Sequence, residues 1–164
     1  MFIHPASDQS NTTVSNLDQE CIQPNAVDLR IDKVYALSDN LDDRTAEIAT
    51  DGTTHAVFEE VVPNILMYEL QPGLYQFTTE HDVDIAPGEL GWLKGRSSLV
   101  RNGMIVYSGL YDSGFNGTIG GVLQVVDRPV NIEKGARVCQ LVLAPAQALH
   151  SYDGQYQNTS VITE

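Results

Sequence analysis

Apolar and polar side chains alternate most clearly between Ala26 and Tyr35, where Val27, Leu29 and Ile31 interleave with Asp28, Arg30 and Asp32. A period of two is the mark of a half-buried β-strand, and Pro24-Asn25 supplies a turn before it. Asp28 then falls on the polar side at the strand start, where a solvated acid is the ordinary reading. Further strands are predicted over residues 55–62, 67–70, 74–79, 83–85, 90–93, 104–111, 118–126 and 130–132. Gln71-Pro72-Gly73 predicts a hairpin joining 67–70 to 74–79. Gly109, inside 104–111, predicts a bulge or a close approach to the backbone. Residues 138–143 are apolar at nearly every position and predict a fully buried strand.

A single helix of one to two turns is predicted over residues 97–102, capped by Arg96 or Ser97 and stopped by Asn102-Gly103. Residues 1–20 are polar and aperiodic, and read as a loose arm or an oligomer strap. Residues 38–54 read as a loop with one helical turn. The main domain is placed at 21–150, with 151–164 as a mobile tail or lid. Many short, closely spaced strands with one short helix predict an all-β fold, a sandwich or barrel of distorted jelly-roll character.

Composition narrows the function. The 164-residue chain is 42% hydrophobic and carries a net charge of −13, which suits one domain and opposes general nucleic-acid binding. Residues 1–93 hold 17 of the 22 acids and three of the nine Lys and Arg, whereas 94–137 hold six basic residues against three acids. One locally basic segment in an acidic chain suits an anion site, with a divalent cation to offset the acids. No apolar run approaches the ~20 residues of a membrane span, and the N-terminal sequence does not read as a secretory signal. Two distant cysteines, Cys21 and Cys139, fit a reducing, cytoplasmic setting, and Cys139 reads as inert core.

The chemistry concentrates in two stretches. Gly95-Arg-Ser-Ser-Leu-Val-Arg101 offers forked donors from Arg96 and Arg101, with hydroxyls from Ser97 and Ser98, for a polyphosphate. Tyr111-Asp-Ser-Gly-Phe-Asn-Gly117 offers Asp112 to aim and deprotonate a water, and Phe115 to pack against a sugar or base. Gln140 is an uncharged donor on the following motif. The histidines have no metal-ligand spacing and read as surface or packing residues.

Five segments in order resemble the dUTPase/dCTP deaminase superfamily, in its deaminase-like branch: Ile22-Gln-Pro-Asn-Ala-Val-Asp-Leu-Arg30, Gly95 to Gly103, Gly109-Leu-Tyr-Asp-Ser-Gly-Phe-Asn-Gly-Thr-Ile119, Gly135-Ala-Arg-Val-Cys-Gln-Leu141 and Tyr152-Asp-Gly-Gln-Tyr-Gln157. The resemblance implies a homotrimer with sites shared between subunits and a deoxynucleoside triphosphate as ligand. It implies that Arg96, Ser97 and Gln140 hold phosphates, that Asp112 activates water, and that Phe115 lies under the deoxyribose and excludes a 2′-hydroxyl. Asp28 would help organise a hydrated Mg2+, and Tyr152 and Tyr156 belong to the closing tail.

Departures from the pattern then select the activity. Deaminases of this superfamily carry a glutamate ten positions beyond the motif aspartate, where this chain has Val122. A valine cannot shuttle a proton at a cytosine ring. The expectation is a dUTP diphosphatase-like hydrolase forming dUMP and pyrophosphate. The alternatives are a dCTP deaminase using another acid, and a non-catalytic nucleotide binder. The last follows from the absent Gly-rich fifth motif and from Gln155 at a position usually held by lysine.

Overall fold

The computed structural model describes residues 2–50 and 52–158. Its strands are β1 (Thr13–Val14), β2 (Val27–Leu37), β3 (Glu47–Ala49), β4 (Gly52–Thr54), β5 (Phe58–Glu60), β6 (Met67–Leu70), β7 (Gly73–Asp84), β8 (Glu89–Gly95), β9 (Met104–Tyr107), β10 (Asn116–Val125), β11 (Val130–Glu133) and β12 (Arg137–Pro145). One α-helix, α1 (Ser97–Arg101), joins β8 to β9. The fold is all-β, as the spacing of short apolar segments predicts.

The main sheet runs β8-β12-β2-β7-β10-β9, with β1 on β7 and β5 on β2. It rolls until its ends approach. Gly91 of β8 and Tyr111, beyond β9, exchange both backbone hydrogen bonds at 2.9 and 2.8 Å. The inner face of the roll is the core: Val27, Leu29 and Ile31 of β2, Phe77 of β7, Ile119 and Leu123 of β10, Leu141 and Leu143 of β12 are essentially inaccessible.

Several expectations are corrected. Residues 67–70 and 74–79 do not form a hairpin with each other. The segment 73–84 is one strand of 12 residues, both of whose edges are taken by β2 and β10, so β6 turns instead to β11. The predicted strand at 83–85 is the far end of that same strand. Segment 55–62 contributes only Phe58–Glu60. Segment 104–111 is strand only to Tyr107, so Gly109 lies in a loop and not in a strand interior. Along β12, Gln140 and Val142 are half-buried, because an antiparallel strand buries alternate residues. Residues 38–54 carry a 3-10 turn (Leu41–Arg44) and the small β3–β4 ribbon.

The first residues are not loose. Ile3 bridges Leu143, and β1 pairs with β7. Glu89, 4% exposed, accepts from the Ser10 and Thr12 hydroxyls at 2.7 Å each and from the Asn11 amide at 2.8 Å. Burial opposes the charge on Glu89, but these hydrogen bonds outweigh it and hold the carboxyl below its ordinary range. His81, fully buried, accepts from the Arg30 amide on Nε2 and therefore donates from Nδ1 to the Ser15 carbonyl. That ring is a packing histidine, as its isolation in the sequence suggests.

Candidate functional site

Gln140 stands opposite Asp28 in the β12–β2 register, which puts both side chains on one face. The Gln140 amide donates to Asp28 Oδ1 at 2.9 Å. Arg96 Nε lies 2.9 Å and Arg137 Nη1 3.6 Å from Oδ2. Neither guanidinium has hydrogen-bond geometry to Oδ2, which has no hydrogen-bond partner among the described residues. The attachment to Oδ2 is ionic. Arg96 also donates to the Arg137 carbonyl at 3.0 Å, so the two basic residues are tied to each other. A fully buried carboxylate thus holds two guanidinium groups and one amide, and the arginine side chains remain 27% and 28% exposed. Arg96 and Arg137 line a cavity of about 590 Å³, together with Arg30, Lys134, Glu20 and Glu80.

Asp28 is therefore not a solvated strand acid. Nor does it suit direct coordination of Mg2+: its side chain is inaccessible and its charge already faces two cations. No group of three His, Cys, Asp or Glu residues among the described residues could hold a metal. Asp28 is a positioning residue for the basic cradle.

The helix forms as predicted, with Arg96 at the extended N-cap position and Gly103 at φ 74° after its end. Ser97 and Ser98 are exposed at its first turn. Arg101 is five residues beyond Arg96, well over one helical turn, and does not line the Arg96 cavity. At five residues the helix carries little macrodipole, and Arg96, Arg137, Arg30 and Lys134 are the cations lining the cavity beside it.

The second stretch builds a different wall. Tyr111 is buried, and its hydroxyl both donates to the Gly120 carbonyl and accepts from the Gly120 amide at 3.1 Å. Burial pushes its phenol well above the usual range, so it stays protonated and can do both. The Phe115 ring, 5% exposed, is flanked by Tyr111 at 5.1 Å and edge-on by Tyr152 at 5.7 Å. These rings, with Gly120, Gly121, Val122, Gln76, Tyr107 and Tyr156, enclose a cavity of about 400 Å³. None of its lining residues is acidic or basic. Gly120 and Gly121 are required there: a Cβ on either would fall against the carbonyl oxygen of Phe77 or of Tyr107.

Asp112 is exposed and lines a neighbouring cavity of about 510 Å³ with residues of the 146–154 segment. Tyr152 borders both cavities. The tail lies on its own chain as far as it is described. Tyr152 donates its amide to Ser113 at 2.8 Å, and the Gln157 side chain donates to the Gly114 carbonyl at 2.9 Å. Residues 159–164 of the predicted lid lie outside the described residues. Within one chain the structure gathers Arg96 and Gln140 around Asp28, and places Phe115, Tyr152 and Tyr156 around one cavity. It leaves Asp112 in another cavity from Arg96. Sequence reasoning missed Arg137 and Gln76 as site residues. Arg137 stood in plain view within the basic segment, whereas Gln76 carries no motif.

Residues 2–146 match the family described as dCTP deaminase-like. The chain belongs to that family. Among members, a protein of Halobacterium salinarum named probable deoxyuridine 5'-triphosphate nucleotidohydrolase is 34% identical over 143 residues, covering 84% of this chain and 83% of that one. A dUMP-forming dCTP deaminase of Persephonella marina is 32% identical over 155 residues, covering 88% and 82%. The fold agrees with solved dCTP deaminase-like and dUTPase structures. The 2'-deoxycytidine 5'-triphosphate deaminase of Agrobacterium tumefaciens superposes with a TM-score of 0.58 at 16% identity, over 85% of this chain and 45% of that one. A variant of the Staphylococcus bacteriophage 80alpha dUTPase, solved with dUpNHpp, gives 0.53 at 15% identity, over 88% and 97%.

Proposed function

We propose that this dCTP deaminase-like protein is a dUTP diphosphatase-like hydrolase, converting the magnesium complex of dUTP to dUMP and pyrophosphate. One observation carries the reading: the cavity of nucleoside size has Val122 in its wall and no acid among its lining residues, while Asp112 stands exposed beside it. The site lacks a group to move protons at a base and keeps one to move a proton from water. The relatives named for dUTP hydrolysis support the same choice.

In this mechanism Asp112 accepts a proton from a water that attacks the α-phosphorus. The bond from that phosphorus to the bridging oxygen of the β-phosphate breaks, and pyrophosphate leaves toward Arg96, Ser97 and Gln140. A magnesium ion carried by the triphosphate would offset part of its charge, leaving the remainder to Arg96. Phe115 packs against the deoxyribose, leaving no room for a 2′-hydroxyl. Because Arg96 and Asp112 line separate cavities of one chain, the reading places the cradle of one copy against Asp112 of another, in a homotrimer.

Asp112→Asn is expected to lower pyrophosphate release from dUTP by about 100-fold or more while nucleotide binding survives. Unchanged turnover would remove Asp112 from the mechanism. A second reading, dCTP deamination, is favoured by the relative of that name and would declare itself by ammonia release from dCTP. Saturable binding without either product would instead mark a non-catalytic binder.

A further inference from the structure

Gln76 lies directly across the β7–β10 pair from Val122, and Val122 lies directly across the β10–β9 pair from Tyr107. The three side chains form one row on the same face of the sheet, and all three line the 400 Å³ cavity. The Gln76 amide is half-buried and has no side-chain hydrogen bond among the described residues. A primary amide in a partly desolvated wall, with donor and acceptor side by side and uncommitted, is suited to pairing with a ligand.

Its position selects which part of the ligand it meets. Phe115, Tyr111 and Gly120 form one end of the cavity. The row of Gln76 lies two residues farther along β10, roughly 7 Å away. With the sugar on Phe115, the far edge of a pyrimidine ring reaches that row. Val122 offers this edge no polar atom. Of its two neighbours in the row, only the Gln76 amide carries a donor and an acceptor on separate atoms, the Tyr107 hydroxyl being a single oxygen.

We propose that Gln76 reads the 4-position of the pyrimidine, and that its amide admits both 2′-deoxyuridine and 2′-deoxycytidine triphosphates, each cleaved at the α-phosphorus. The inference rests on the hydrolase reading above. Uracil presents a carbonyl at that position and cytosine an amino group. Rotating the amide by half a turn offers the NH2 group to the first or the oxygen to the second. A site that discriminated strongly would present a donor or an acceptor alone.

The test measures pyrophosphate release by the full chain with magnesium, and binding of the α,β-imido analogues of dUTP and dCTP, at pH 8. The wild type is expected to cleave dUTP and dCTP with kcat/KM values within about tenfold of each other. Gln76→Leu should raise KM for both by about tenfold. Gln76→Glu, an acceptor alone when ionised, should retain dCTP and lose dUTP, shifting the preference by at least about tenfold. A structural role for Gln76 would lower both activities together and leave that ratio alone. An unchanged ratio in Gln76→Glu, or rejection of dCTP by the wild type by more than about 100-fold, overturns the proposal. If the wild type releases no pyrophosphate, the hydrolase reading has failed, and the analogue-binding ratio of the same variants still decides the role of Gln76.

Discussion

Gln140 hands its side-chain amide to Asp28 across the β12–β2 pair at 2.9 Å, beneath two guanidinium groups that share the other carboxylate oxygen. Removing the charge leaves Arg96 and Arg137 facing each other without a counter-ion. Asp28→Asn preserves volume and an acceptor for Gln140, so its effect isolates the charge. Breaking a buried pair from one side costs about 3–5 kcal/mol, and the lower end applies because both arginines still reach water. Urea unfolding is expected to show a loss of about 3 kcal/mol, together with weaker triphosphate binding.

Complementation checks the sharing of sites between copies. Arg96→Ala and Asp112→Asn should each be inactive alone. If the cradle of one copy serves Asp112 of another, refolding the two variants together restores pyrophosphate release, because some sites then hold both intact residues. Mixtures as inactive as the separate variants would require every site to be built within one chain.

The glycines beside the aromatic cavity are not equivalent. Gly120→Ala or Gly121→Ala drives a methyl group into a strand carbonyl that cannot move without breaking the sheet. The expected loss is about 3 kcal/mol, at the top of the range for overpacking. Gly109→Ala has nothing within 4 Å and should change the melting temperature little. Thermal unfolding of the three variants makes the comparison.

Acid should release the N-terminal segment before the sheet. Glu89 has its folded-state pKa depressed below the ordinary 4.5 by the Ser10, Asn11 and Thr12 donors, which outweigh the opposing effect of burial. A depressed carboxyl contributes stability that is fully present above its unfolded value and is lost as pH falls through the folded one. Below about pH 4.5, amide exchange at Asn11 and Thr12 should accelerate ahead of exchange in β12. Glu89→Gln should show the faster exchange already at neutral pH.

Ile65 sits at φ 59°, a left-handed conformation poorly suited to a β-branched residue, and is 90% exposed. Its side chain contributes little burial in return. Ile65→Gly should relieve the strain and raise stability by about 1 kcal/mol, read from the urea midpoint.

The sequence revealed what local chemistry determines. Alternation placed β2, Asn102-Gly103 ended α1, and the Arg-Ser-Ser and Tyr-Asp-Ser-Gly-Phe stretches each contribute residues that line a cavity, though not the same one. Pairing was harder to read. Pro72-Gly73 looks like a hairpin turn, yet whether its flanking strands pair depends on which edges β2 and β10 have already occupied. Register had the same effect on individual residues. Nothing near Asp28 announced burial, since its partners Arg96, Arg137 and Gln140 are distant in the chain. Gln76 became visible only when β10 set it opposite Val122.

The position of β12 also bears on how the molecule is made. It lies between β8 and β2, so the gap between these two earlier strands stays open until residues 137–145 leave the ribosome. Until then β2 and β8 each present an unpaired edge to other nascent chains. Synthesis should therefore be most vulnerable to aggregation just before that strand emerges, and a chaperone that shields strand edges should raise the yield of soluble protein.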